Sequence, residues 1–97
     1  MLNRENKLKC SKVINIYPKD NQLHIAQEEL AELIQAISKY IRYGDMEPLL
    51  EEYADVVIMM EQLRQMFHIE DAEVNRRADK KLYRALDGRV LINGRQS

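Results

Sequence analysis

The stretch Val56-Val57-Ile58-Met59-Met60 sits inside a helical pattern and is apolar without a break. Leu49, Tyr53, Val56, Met60, Leu63 and Phe67 recur around it at steps of three and four, the spacing of one helix face. Five consecutive helical residues point in every direction around the axis, so this helix cannot keep one side in water. A chain of 97 residues has few other elements with which to cover it. The expected fold is therefore all-α: an antiparallel helical bundle whose core a second copy of the chain completes.

A second amphipathic stripe precedes it. Leu23, Ala26, Leu30, Leu33, Ile37 and Tyr40 predict a long helix starting at Asp20 or Asn21, either of which can cap it. Gly44 is placed to end that helix in a left-handed conformation, and Pro48 fits the first turn of the next. Gly44 to Glu47 thus reads as a tight turn between antiparallel helices. A further helix is expected from Asp71 to Leu86, with Gly88 as its stop and a weaker apolar line of Ala72, Ala78, Leu82 and Leu86. Before Asp20 the pattern is poorer. Residues 1–19 read as a basic leader, irregular or briefly helical, with a β-like run from Val13 to Tyr17 closed by Pro18. Ile14, Ile16 and Tyr17 would pin it to the core. Residues 20–90 form the helical domain and 91–97 a flexible tail.

The formal net charge of −1 conceals a segregation. Residues 1–19 hold five Lys or Arg against one Glu, residues 20–70 three against eleven acids, and residues 71–97 seven against four. An acidic centre between basic flanks suits a cation site with an anionic ligand at its edge, although a solvated surface produces the same counts. The single Cys10 excludes an internal disulfide and fits the cytoplasm. No run is long and apolar enough for a membrane span, and the N-terminus lacks the apolar core of a signal peptide.

Within the acidic centre, Glu29 and Glu32 lie three apart, as do Glu52 and Asp55. Such pairs share a helix face. Glu29 and Glu32 share a strip with Ile25 and Ala36, and Glu52 and Asp55 share one with Met59, so all four border the buried side. Desolvated carboxylates need cations, and between Asp20 and Glu70 only Lys39, Arg42 and Arg64 are basic. Glu32 precedes the turn by about a dozen residues and Glu52 and Asp55 follow it by about eight to ten, which brings the pairs to similar levels of an antiparallel hairpin. Converging oxygens of this kind suit Mg²⁺ or Mn²⁺.

Glu28-Glu29-Leu30-Ala31-Glu32, followed after nineteen residues by Glu52-Tyr53-Ala54-Asp55, resembles the EExxE…ExxD signature of the MazG-like all-α nucleoside triphosphate pyrophosphohydrolases. Gln22-Leu23 upstream, Leu33 after the first motif and Val56 after the second agree with it, and Lys81-Leu82-Tyr83-Arg84 is similar to the basic segment that often closes such domains. The resemblance spans about residues 20–90. It implies Glu29, Glu32, Glu52 and Asp55 as Mg²⁺ ligands, and Glu28 as a supporting group that orients a ligand or polarises the attacking water. It implies Lys81 and Arg84 as phosphate-binding residues, with reach across a subunit boundary. The implied reaction cleaves a nucleoside triphosphate between its α and β phosphates, in a homodimer or dimer of dimers. Trp is absent, so a base would have to stack on Tyr40, Tyr43, Tyr53, Tyr83 or Phe67.

Other classes stay open at this level. His24 and His68 lack the Glu-x-x-His spacing of di-iron bundles and read as surface or helix-end residues. A non-catalytic dimeric helical module, binding a nucleotide or a partner protein, would carry the same acids as surface charge. Nothing in the chain reads as a helix-turn-helix, and the slightly acidic whole does not favour nucleic acid.

Overall fold

A computed structural model describes residues 1–87, and every element within them is helical: α1 Arg4–Ile16, α2 Lys19–Tyr43, α3 Met46–Met66 and α4 Asp71–Asp87. Gly88 and the expected tail lie outside the described residues. No described helix is long and apolar enough to cross a membrane.

Of the two forms expected for the basic leader, irregular or briefly helical, it takes the helical one, over 13 residues. Asn3 caps it, its side-chain oxygen accepting from the Asn6 N–H at 2.8 Å. The β-branched run from Val13 is the last turn of α1, because helical neighbours override its strand preference. Tyr17 ends the helix in an extended conformation (φ −105°, ψ 147°), as a residue before proline must. Ile16 and Tyr17 do not pin the leader, since both are exposed. Cys10, buried with its thiol 3.9 Å from the Ile58 carbonyl, does so instead. Gln65 adds a second tie: its Oε1 accepts from the Ser11 hydroxyl at 2.6 Å and its Nε2 donates to the Lys7 carbonyl at 3.1 Å.

Helix α2 starts at Lys19, a residue or two before the expected caps. Pro18 occupies the N-cap position with no side-chain acceptor, and its carbonyl takes the Gln22 N–H at 3.2 Å. Proline's fixed φ makes that entry possible without a polar cap. At the other end Gly44 (φ 71°) donates its N–H to the Tyr40 carbonyl at 2.8 Å. Asp45 then caps α3 through the Glu47 N–H, and the chain has reversed in two residues.

Helix α3 ends on a left-handed residue that is not glycine. His68 has φ 53°, and the Ile69 N–H returns to the Arg64 carbonyl at 3.0 Å. This six-to-one closure normally uses Gly at the turning residue. His68 is thus a helix-end residue, as the sequence indicated.

The antiparallel pair α2/α3 is the main packing unit, and α1 lies against α3. Their contact line differs from the predicted stripes. On α2 it runs through Gln22, Ala26, Glu29 and Ala36; on α3 through Glu52, Met59 and Gln62. Two alanines on α2 let the backbones approach closely, and the bulkier Leu30, Ile37, Tyr40, Tyr53, Met60 and Phe67 are left exposed to the side. Leu23, Leu30 and Leu63 border one groove, so the apolar flanks of α2 and α3 open on the same face. At the end of the seam remote from Gly44, Gln22 Nε2 donates to Gln62 Oε1 at 2.8 Å, both side chains buried. Helix α4 packs extensively on none of the others and has no buried residue.

Candidate metal centre

The i, i+3 spacing puts Glu29 with Glu32 on α2 and Glu52 with Asp55 on α3, and the hairpin brings the pairs face to face. One carboxylate oxygen from each of the four lies within 4.8 Å of the others. This is the seam itself, not its margin. Glu29 and Glu52 are half-buried and Glu32 is more exposed.

The electrostatics are those of an uncompensated anion cluster. One oxygen each of Glu29 and Glu52 is shut off from solvent and accepts no hydrogen bond. None of the four carboxylates is in an ion pair among the described residues. Burial, and then the charges of Asp55 and Glu32, push the Glu29 carboxyl up to about 7. Burial first, then Glu32 and Asp55, also raise Glu52. Four carboxylates this close ionise together only against burial and mutual repulsion, which a cation among them would relieve.

The arginine of α3 is committed to another acid. Arg64 is engaged with Glu61 through two bonds of 3.0 and 2.6 Å, and Gln65 adds a third at 2.8 Å. That guanidinium holds Glu61 below the usual carboxylate range. The contrast with Glu29 separates two kinds of buried acid. Glu61 is a satisfied structural anion; Glu29 and Glu52 each carry a shielded acceptor oxygen with no donor. An all-oxygen donor set with orphaned lone pairs fits a hard divalent cation such as Mg²⁺.

A cleft of about 350 Å³ adjoins the cluster, lined by Glu32, Gln35, Ala36, Lys39, Pro48 and Glu52. Lys39 is the one cation in that lining, seven residues after Glu32 on the same face of α2. The sequence showed Lys39 only as one of three bases in the acidic centre; the two-turn spacing from Glu32 was the signal available. A larger cleft of about 620 Å³ between α1 and α3 is apolar and contains Cys10, whose thiol burial pushes up. None of the four clustered carboxylates lines it.

The other expected site residues are not at the cluster. Glu28 is exposed next to Glu29 and contributes no oxygen to the group of four. Lys81 and Arg84 are exposed on α4 and line neither of these clefts. Among the described residues the basic helix α4 is not packed extensively on the carboxylate-bearing pair.

Fold and site define an all-α helical protein with a four-carboxylate centre in the seam of a hairpin. Comparisons with protein-family models, with curated proteins and with solved structures find no match.

Proposed function

We propose that this protein is a Mg²⁺-dependent nucleoside triphosphate pyrophosphohydrolase, with Mn²⁺ able to replace Mg²⁺, cleaving an NTP or dNTP to the monophosphate and pyrophosphate. The observation that carries this reading is the cluster of Glu29, Glu32, Glu52 and Asp55, with two acceptor oxygens shielded from water and left without donors. The resemblance of the two acidic motifs supplies the reaction class.

Glu29, Glu32, Glu52 and Asp55 would hold the cation. When bound there, the metal neutralises phosphate oxygens and acidifies a water. The chain's own residues do the rest. Lys39 faces the adjoining cleft and offers its ammonium to the polyphosphate. Glu28, at the rim, keeps the supporting role the motif gives it, as a polarising group for the attacking water. In the reaction the water oxygen bonds to phosphorus and the α–β anhydride bond breaks. The water's proton passes to a carboxylate, and pyrophosphate leaves. Lys81 and Arg84 serve as further phosphate contacts only when α4 is brought to a site by assembly. A second copy, or a dimer of dimers, completes the bundle by covering the apolar flanks of α2 and α3.

The test is a panel of ribo- and deoxyribonucleoside triphosphates incubated with Mg²⁺ and resolved by ion exchange. Monophosphate and pyrophosphate should appear in equal amounts and vanish with chelator. Release of orthophosphate, or no turnover of any member of the panel, refutes the assignment.

A further inference from the structure

We infer that the cleft between α1 and α3 binds a free aliphatic monocarboxylate, its chain along the apolar walls and its carboxylate on Gln62 and Lys9. The inference is independent of the hydrolase reading. Ala54, Val57 and Ile58 of α3 line this cleft, whereas Glu52 and Asp55 of the same helix join Glu29 and Glu32 of α2.

Three observations carry it. First, the cleft has the size and walls of a small-molecule site. It holds about 620 Å³, and such sites are mostly apolar, of roughly 300–1,000 Å³, with a few placed polar groups. Leu2 and Val13 line one side and Ala54, Val57 and Ile58 the other. Along α3 the lining runs from Tyr53 to Gln62, roughly 14 Å. An extended chain of about ten carbons, at roughly 1.2 Å per bond, fits that length.

Second, one amide in the wall is half satisfied. Gln62 is 3% exposed, and its Oε1 accepts from Gln22 Nε2 at 2.8 Å. Gln22 Oε1 in turn accepts from Asn21 Nδ2 at 3.0 Å. The amides donate in one direction, and the row ends on Gln62 Nε2, which donates to no described residue. That nitrogen is not among the unpaired atoms sealed from solvent, and of the described clefts Gln62 lines only this one. An amide N–H in an apolar wall is costly without an acceptor. A carboxylate oxygen supplies one.

Third, the sign of the charge is fixed. Lys9 lines the cleft and no acid does. The ammonium meets Glu5 at 3.5 Å, in a pair whose Lys9 side chain is 66% exposed, and exposed pairs of this kind contribute little. Its aliphatic stem can lie on the wall with the charge at the rim. A donor and a cation select an anion, and the walls select a hydrocarbon tail on it. Cys10 is also in the lining, but burial pushes its thiol up, which keeps it protonated and unsuited to covalent capture.

The experiment titrates the full-length protein, in EDTA, with sodium decanoate below its micelle concentration. Calorimetry and methyl-detected NOESY read the binding, with decylamine run beside it. The expected result is one decanoate per chain, with cross-peaks to the methyls of Val13, Val57 and Ile58, and decylamine at least tenfold weaker. Lys9→Glu changes an exposed side chain, and Gln22→Leu with Gln62→Leu removes both seam amides together. Each variant should weaken decanoate about tenfold with helical content unchanged. Absence of binding overturns the inference, as do cross-peaks to Ile34 and Ile41 instead, decylamine binding as tightly, or an unmoved affinity in either variant. Cross-peaks between copies at Val13 and Val57, in a protein that takes up no decanoate, assign the cleft to a second copy and overturn it too. None of these readouts uses turnover or a metal, so they can succeed while the hydrolase assignment fails, or the reverse.

Discussion

Replacing Glu29 by Gln should stabilise the metal-free protein while removing its response to Mg²⁺. The carboxyl moves from an ordinary 4.5 up to about 7 in the folded chain, burial being the largest cause and Asp55 the next. A raised carboxyl favours the folded state fully only below its unfolded value. That contribution is therefore lost as pH climbs from about 4.5 through about 7, and at pH 8 the folded protein bears the whole penalty of the anion. At ~1.4 kcal/mol for each tenfold change in proton affinity the ceiling is about 3 kcal/mol. Water reaches the site, and screening discounts this to about 1 kcal/mol. For a domain of this size that corresponds to a rise of about 4–8 °C in melting temperature. The assay is thermal unfolding by circular dichroism at pH 5 and pH 8, at one protomer concentration, in EDTA or with excess Mg²⁺. In EDTA at pH 8 Glu29→Gln should melt above the native chain, and the gap should close at pH 5. Saturating Mg²⁺ at a hundred times its dissociation constant should add about 2.7 kcal/mol to the native protein and far less to the variant. A variant that melts lower in EDTA at pH 8, or keeps the native Mg²⁺ response, refutes the reasoning.

Glu32→Gln and Asp55→Asn should each cut pyrophosphate release by at least a hundredfold with helical content unchanged; retained turnover removes those residues from the ligand set. Lys39→Ala should raise KM for the triphosphate by about tenfold, as expected for one lost charge-assisted contact, and steady-state kinetics over substrate concentration will read it. Gln22→Leu leaves the buried Gln62 amide without its donor and should cost about 1–3 kcal/mol in urea unfolding, with the double replacement by Leu recovering most of the loss. His68→Gly relieves a left-handed backbone and should stabilise by about 1 kcal/mol, a melting temperature higher by several degrees.

Much of the fold was written in local chemistry. Gly44 and Pro48 bracket the hairpin turn, and Asp71 opens α4 where a capping residue was expected. The extent of the leader's helix is not legible because Val13, Ile14 and Ile16 favour strands in isolation, whereas the long-range contact of Cys10 with α3 anchors them in a helix. Side-chain size misled about which face goes inward. Periodicity marks Leu30, Ile37, Tyr53 and Met60 as apolar, but close approach of two helices selects Ala26 and Ala36. The same feature that hid the contact line made the carboxylate strip legible, since Ala36 and Met59 share faces with the acids. Lys39 shows in the sequence only as a base two turns after Glu32, and the cleft gives it its neighbours. The missing packing of α4 could not be read from one chain, because periodicity says that a helix has an apolar side and not whose surface receives it.

The Gln22–Gln62 bond has a consequence for how the two long helices are phased along their axes. Apolar seams tolerate sliding, because one methyl group substitutes for another a turn away. A paired amide does not, and slippage of α2 past α3 by a single turn, about 5.4 Å, would strand both groups. With Gly44 tethering one extremity and this bond clamping the other, the hairpin behaves as a vernier set at two points, and the acids between them have one alignment open to them.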